Sequence, residues 1–257
     1  MKGFYRLVQN EFKAWHRAIA LICLGAVVSQ LGLLYSATKY SSGEWPYERF
    51  EDLYVSSGCV AVFLVFFAAA CGFFLKTFYA QYWGSKSVYT YLTLPVKRET
   101  VYASKLGVFI SCLLMLIAAQ FISIRLGYGL FAARLDAYSE GQLSMRNGLF
   151  LAVIRSDFFR ILLPLNVSRI LSSLCILVAL ATALYYGVLC ERSKKYWGIS
   201  IIIAAFFIMI KVLGYRMSET IYFSPPSGLY PSSAMLLVLS GFFVWHGIRL
   251  MKRGAIA

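Results

Sequence analysis

The chain of 257 residues is 60% hydrophobic and only 14% charged, and its mean hydropathy is +0.69. These values exclude an ordinary soluble domain and are typical of a multi-pass membrane protein. The formal net charge of +14 then indicates membrane orientation and attraction to anionic lipid rather than nucleic-acid binding.

The chain begins with an amphipathic stretch, residues 1–17. Phe4, Val8, Phe12 and Trp15 recur there at helical spacing among basic side chains. The pattern predicts an interfacial helix on the inner leaflet, ahead of the first span. A solvated start of the chain is the alternative interpretation.

Six charge-poor runs follow, most of them near the 20 or so residues that a helix needs to cross a bilayer. We therefore predict an all-α, polytopic membrane protein with one transmembrane domain over residues 1–257. The expected spans are about 18–38, 53–75, 106–124, 170–190, 196–213 and 232–248. Seven spans is the alternative count.

The distribution of basic residues predicts the orientation of these spans. With the N-terminus inside, the inner segments hold fifteen Lys and Arg residues and the outer segments ten, of which six lie in the long 125–169 loop. We therefore expect both termini on the cytoplasmic side. The expected location is the cell membrane, namely a bacterial cytoplasmic membrane.

Small residues form a seam along the second span. Ser57, Ala61, Ala68 and Gly72 are four or seven positions apart, so they share one helix face. Such seams let membrane helices approach each other closely. This seam predicts either helix packing within the bundle or a dimer interface.

The long outer loop contains an apolar helical stripe that charges interrupt. A true span over residues 147–165 would place three charges in the bilayer, each costing several kcal/mol. We therefore predict an outer-surface or re-entrant amphipathic helix. A structural lid is its default role, and a gate or a substrate contact is the alternative. Its apolar face includes Phe150, Ile154, Phe158 and Ile161.

No catalytic or metal-binding pattern accompanies the spans. The six cysteines lie in predicted spans without C-x-x-C spacing, and His16 and His246 have no ligand partner in the sequence. We therefore expect that this chain alone is not an enzyme and binds no metal or cofactor. The predicted spans are also nearly free of ionisable groups, which disfavours an ion-coupled carrier.

The connection between the second and third spans, residues 76–105, has five basic residues and one acid. Its middle interleaves aromatic and aliphatic side chains with small polar ones and stops at Pro95. The pattern predicts a short amphipathic element that lies on the membrane surface or docks on another protein. Aromatic side chains at the lipid headgroup level are the alternative.

The amphipathic start, the six spans and the connection YWGSKSVYTYLTLPVKRETVYASKLG together resemble the ABC-2 type family of ABC transporter permeases. The resemblance covers the topology of the whole chain, but its recognisable sequence is only about thirty residues. Lys86 and Lys97 stand where many relatives carry an acid. The matching positions are Gly84, Tyr91, Leu92, Leu94, Pro95, Lys97, Arg98 and Lys105.

The resemblance implies the permease subunit of an ATP-driven exporter. A separate cytoplasmic ABC ATPase would bind ATP and Mg, and a second permease subunit would complete a homodimer or heterodimer. A peptide, a lipid or an amphipathic small molecule would be exported. A non-transporting sensor or assembly subunit and an ion-coupled carrier are the alternatives. The implied coupling helix comprises Trp83, Gly84, Lys86, Tyr89, Tyr91, Leu92, Leu94 and Pro95.

Overall fold

The computed structural model describes residues 2–40, 49–83, 98–138, 148–194, 196–218 and 228–252. All regular structure in these ranges is helical. The helices are α1 (Lys2–Tyr40), α2 (Phe50–Ser56), α3 (Cys59–Trp83), α4 (Arg98–Tyr138), α5 (Gly148–Arg155), α6 (Asp157–Leu162), α7 (Val167–Arg192), α8 (Trp197–Ser218) and α9 (Leu229–Lys252).

Six helices in the described ranges are long and apolar enough to cross a membrane, which confirms the predicted all-helical fold with six spans. The chain is accordingly a multi-pass membrane protein. The large apolar side chains that remain exposed on these helices face lipid in a bilayer. The spanning segments are Phe4–Lys39, Cys59–Ala80, Arg98–Ala133, Val167–Arg192, Trp197–Met217 and Leu229–Lys252.

The first helix is longer than the predicted first span. α1 runs unbroken for 39 residues, or about 58 Å, whereas the hydrocarbon core of a bilayer is about 30 Å thick. Residues 4–24 contain no Gly or Pro, so nothing in the sequence interrupts the helical hydrogen bonds. The predicted interfacial segment and the first span thus form one helix, and an interfacial position for residues 1–17 stays a prediction.

The second predicted span, 53–75, is divided near its start. Ser57 and Gly58 separate the short α2 from the spanning α3, and Gly58 has a φ of +78°. That backbone conformation favours glycine because a Cβ would be strained there. Hydropathy alone does not detect such a break, because apolar residues lie on both of its sides.

The predicted outer loop, 125–169, is largely helical where it is described. α4 continues beyond the expected end at residue 124 and reaches Tyr138. The amphipathic helix predicted over 147–165 is two helices, α5 and α6. Ser156, with an extended backbone, caps α6 by accepting a hydrogen bond from the Phe159 N–H, so the helical stripe is broken at this residue.

The chain that we predicted as one domain divides into two compact units. The first unit comprises Met1–His16, Gly72–Ser111 and Pro164–Ala257, and the second comprises Arg17–Cys71 and Cys112–Leu163. In the first unit α7 packs along both α8 and α9. Small buried residues such as Ala179 and Ala183 let these helices approach closely.

The core of the second unit is an aromatic cluster around α2. The Phe50 ring lies edge-on to Tyr128 of α4, with 5.4 Å between centroids, and the Tyr54 ring lies 5.0 Å from Phe159 of α6. Leu34 and Val153 complete the buried set on α1 and α5. The short helices of this unit are therefore held by packing, since helices of six to eight residues are marginal alone.

Candidate functional site

The predicted coupling helix joins α3 to α4. Trp83 is the last residue of α3. The structure describes both helix ends from which the connection 84–97 emerges. We call residues 73–80 of α3 and 98–109 of α4 the two roots of this connection. The other predicted docking positions lie outside the described residues, namely Gly84, Lys86, Tyr89, Tyr91, Leu92, Leu94 and Pro95.

The α4 root is fastened to the C-terminal end of α9. The Arg98 guanidinium donates hydrogen bonds to the carbonyl oxygens of Met251, at 3.0 Å, and Lys252, at 3.4 Å. Lys252 also pairs with Glu99. The last carbonyls of a helix have no partner within the helix and carry partial negative charge, so a cation suits this position. The exposed ion pair adds at most about 1 kcal/mol.

The α3 root is fastened to the C-terminal end of α7. The Tyr79 hydroxyl donates a hydrogen bond to the Glu191 carboxylate, one residue before α7 ends. Each root of the connection therefore has a polar contact with the end of another spanning helix.

Tyr185 of α7 joins the two roots to each other. Its ring lies 4.7 Å from the Phe78 ring of the α3 root and stacks at 4.5 Å on the Tyr102 ring of the α4 root. All three side chains are buried. Aromatic pairs of this kind contribute about 0.5–1.5 kcal/mol each beyond the area they bury. Tyr185 thus packs both roots against α7.

The N-terminal part of α1 packs against the same roots. The Trp15 ring lies edge-on to Phe73, with 5.0 Å between centroids, and also contacts Phe74 and Phe109. Phe74 and Phe109 stack at 4.0 Å. Trp15 of the predicted apolar stripe is buried here, whereas Phe4 and Phe12 of the same stripe are exposed.

Two buried charges accompany Trp15. Glu11 and Lys105 are 4% and 8% exposed and line one small cavity of about 10 Å³. The Lys105 ammonium lies 4.8 Å from the centroid of the Phe78 ring, a cation–π distance. Buried charges are tolerated when they are compensated. Opposite charges on α1 and α4 therefore line the same small cavity beside the connection. The apolar periodicity of the sequence does not reveal Glu11, because an acidic residue in such a pattern is expected on the solvated face of the helix.

The second unit contains a buried polar network that the sequence analysis also missed. Gln30 Nε2 donates to Gln120 Oε1 at 2.7 Å, and Gln120 Nε2 donates to the Tyr54 hydroxyl at 2.5 Å. The Tyr54 hydroxyl donates to Gln30 Oε1 at 2.9 Å, and the Ser123 hydroxyl donates to the same oxygen at 2.7 Å. The four side chains are almost fully buried.

This network joins α1, α2 and α4 by a closed ring of hydrogen bonds. Burial raises the pKa of the Tyr54 hydroxyl above its ordinary value, so it stays a neutral donor at physiological pH. Glutamine carries no charge, so the scarcity of ionisable residues in the predicted spans does not reveal this network. The signal in the sequence was one glutamine near the middle of the first predicted span and one near the end of the third.

The small-residue seam on α3 does not pack within the described chain. Ala61, Ala68 and Gly72 are exposed, and Ser57 lies at the break before α3. A Cβ built on Gly72 meets nothing within 4 Å. This face of α3 is therefore open to lipid or to a second protein, as a dimer interface would require.

The four predicted positions of the outer amphipathic helix do not form its buried face. Phe150 is 63% exposed, and Ile154, Phe158 and Ile161 are half-buried. The buried positions are Ala152, Val153 and Phe159, because the break at Ser156 changes which side of each short helix faces α2 and α4. Phe158 still stacks on Tyr54, with 6.1 Å between centroids.

Substitution of Lys105 tests the buried charges. Lys105→Met leaves the Glu11 carboxylate buried without a nearby positive charge, which costs roughly 1–3 kcal/mol. We expect a lower thermal midpoint in mild detergent. Glu11→Gln added to Lys105→Met should restore part of the loss, and Lys13→Met, on the exposed side of α1, should have no effect. Additive losses in the double variant would contradict coupling between the two charges.

Substitution of Gln30 tests the polar network. Gln30→Leu breaks three hydrogen bonds and leaves buried polar groups of Tyr54, Gln120 and Ser123 short of partners, for about 2 kcal/mol or more. Tyr54→Phe breaks two and should cost less. Ser36→Ala is the control, because its hydroxyl bonds only within α1. If Gln30→Leu and Ser36→Ala have the same thermal midpoint, the network does not stabilise the fold.

No family model matches the chain, and neither a curated protein nor a solved structure matches it. The likeness to ABC-2 type permeases therefore stays a prediction from the sequence. What the structure adds is the geometry of the two roots, each fastened to the end of another spanning helix.

Proposed function

We propose that the chain is the transmembrane permease subunit of an ATP-driven ABC exporter. In this proposal both termini are cytoplasmic, and the segment from Trp83 to Pro95 is a coupling helix that docks on a separate ABC ATPase. ATP and Mg bind to that ATPase. The exported substrate is a peptide, a lipid or an amphipathic small molecule, because the spans are apolar and rich in phenylalanine.

The single observation that supports this proposal is that each root is hydrogen-bonded to the end of another spanning helix. A docking segment can drive spanning helices only if its ends are fixed to them. The α4 root contacts α9 through Arg98, and the α3 root contacts α7 through Tyr79. Tyr185 packs between the roots. A displacement of the connection by a partner would therefore reach α7 and α9 as well as α3 and α4.

A second permease subunit would complete the transporter, either another copy of this chain in a homodimer or a related chain in a heterodimer. The exposed small face of α3, with Ala61, Ala68 and Gly72, supports this part of the proposal. Small residues permit close helix contact in a bilayer. In the same proposal residues 1–17, the cytoplasmic end of α1, lie at the inner membrane surface, where their exposed Phe4 and Phe12 would enter the lipid interface.

One observation favours a second candidate, an ion-coupled carrier. Glu11 is a buried carboxylate on a spanning helix, and its Oε1 atom has no hydrogen-bond partner. Buried acids of this kind serve as proton relays in some carriers. Reconstituted protein without any ATPase would then take up protons down a gradient, and Glu11→Gln would abolish the uptake.

Affinity purification from native membranes in mild detergent tests the permease proposal. Wild type is compared with Tyr89→Ala/Leu92→Arg, which removes an aromatic anchor and places a charge in the interface. Two interface hot spots lost at about 2 kcal/mol each weaken binding by roughly three orders of magnitude. We expect an ATP-binding subunit and ATP hydrolysis with wild type and neither with the double variant.

The matched control is Ser87→Ala/Thr90→Ala, which changes polar positions of the same connection. This control should retain the ATPase, and all three proteins should elute as single species. Absence of an ATPase from the wild-type sample, or equal recovery with the double variant, would contradict the coupling-helix assignment.

A further inference from the structure

A cavity of about 500 Å³ lies where α7 ends, α8 begins and α9 ends, within the first unit. It is distinct from the roots of the 84–97 connection. α7 contributes Tyr186, and α9 contributes Phe242, Trp245, His246 and Arg249. The first turn of α8, with Trp197, closes the remaining side.

The local sequence shapes this cavity. Gly198 lets the first turn of α8 lie against α7, because a Cβ there would come within 2.8 Å of the Tyr186 hydroxyl oxygen and would also collide with Cys190. Tyr186 and His246 Nδ1 are hydrogen-bonded at 2.7 Å, and the His246 ring stacks on Phe242. The floor of the cavity is therefore fixed by contacts between α7 and α9.

The cavity lies near the last turns of α9, so that its Arg249 end would be close to the membrane–water interface of a bilayer. α9 has 24 residues and is about 36 Å long, so its ends extend past a hydrocarbon core of about 30 Å. Trp245 and Arg249 precede the last residue of α9 by seven and three positions. Trp197 is 79% exposed and Trp245 is 58% exposed. Exposed tryptophans are typical of the membrane–water interface.

The polar groups of the cavity favour an anion. The Arg249 guanidinium lies 5.5 Å from the centroid of the Trp245 ring, and no acidic residue is among the lining side chains. The N-terminal end of α8 adds partial positive charge, which the C-terminal end of α7 partly offsets, so the preference for an anion depends on Arg249. Glu191 and Glu99, the acids near these helix ends, bond to Tyr79 and Lys252.

We propose that this cavity binds the phosphate headgroup of an anionic phospholipid from the surrounding bilayer. Arg249 binds the phosphate oxygens, and Trp197 and Trp245 line the entry at the glycerol level. The occupant is not a quaternary ammonium headgroup, because the face of Trp245 that would hold such a cation already carries a guanidinium. This assignment does not depend on an ATPase partner.

Quenching of tryptophan fluorescence by brominated lipids tests the site at physiological ionic strength. The full chain is placed in phosphatidylcholine nanodiscs, with increasing fractions of brominated phosphatidylglycerol or, in parallel, brominated phosphatidylcholine. Both headgroups carry a phosphate, but phosphatidylcholine also carries a cation that Arg249 repels, so half-maximal quenching should occur at about tenfold lower fraction for phosphatidylglycerol. Arg249→Gln should remove this preference, and Trp245→Leu should reduce both the preference and the quenching.

Lys194→Gln is the matched control, because it removes one positive charge at the same helix ends from an exposed residue outside the cavity lining. It should keep the preference. Equal quenching by the two lipids, or an unchanged preference in Arg249→Gln, would overturn the proposal. Reversal of the quenching by inorganic phosphate would identify a free-anion site and would also overturn the lipid assignment.

Discussion

The first unit depends on one requirement: the carbonyls at the end of a spanning helix, which have no partner within the helix, need hydrogen-bond donors from elsewhere. The last carbonyls of α9 need donors, and the Arg98 guanidinium, at the first residue of α4, supplies them at 3.0 and 3.4 Å. α4 therefore begins where α9 ends. Because Arg98 directly follows the 84–97 connection, the same contact fixes where that connection returns to the membrane.

Aromatic packing extends this constraint to the other spanning helices. Tyr185 holds Phe78 and Tyr102 on either side, and Trp15 adds the start of α1 to the same cluster. Buried rings of this size have little room to shift independently, because interiors at close-packed density have little free volume. The ends of α1, α3, α4, α7 and α9 in the first unit therefore share one core beside the connection.

The sequence predicted the six spans because hydropathy over 20 residues reflects the cost of placing polar groups in lipid. It did not predict the break at Gly58, which depends on a positive φ. Glu11 and Gln30 were missed for a different reason. A polar side chain is expected to face solvent when only the sequence is known. Glu11 is instead buried near Lys105, and Gln30 is buried beside Tyr54, through contacts between residues that are distant in sequence.

Hydrogen exchange of the purified chain tests most directly whether the hydrogen bonds of Arg98 hold the start of α4 to the end of α9. Arg98→Met keeps the apolar stem of the side chain and removes the donors. Fraying at the start of α4 and at the last turn of α9 should then increase together, and Arg98→Lys should restore part of the protection at both ends. Faster exchange at the start of α4 alone, with the end of α9 unchanged, would contradict the account.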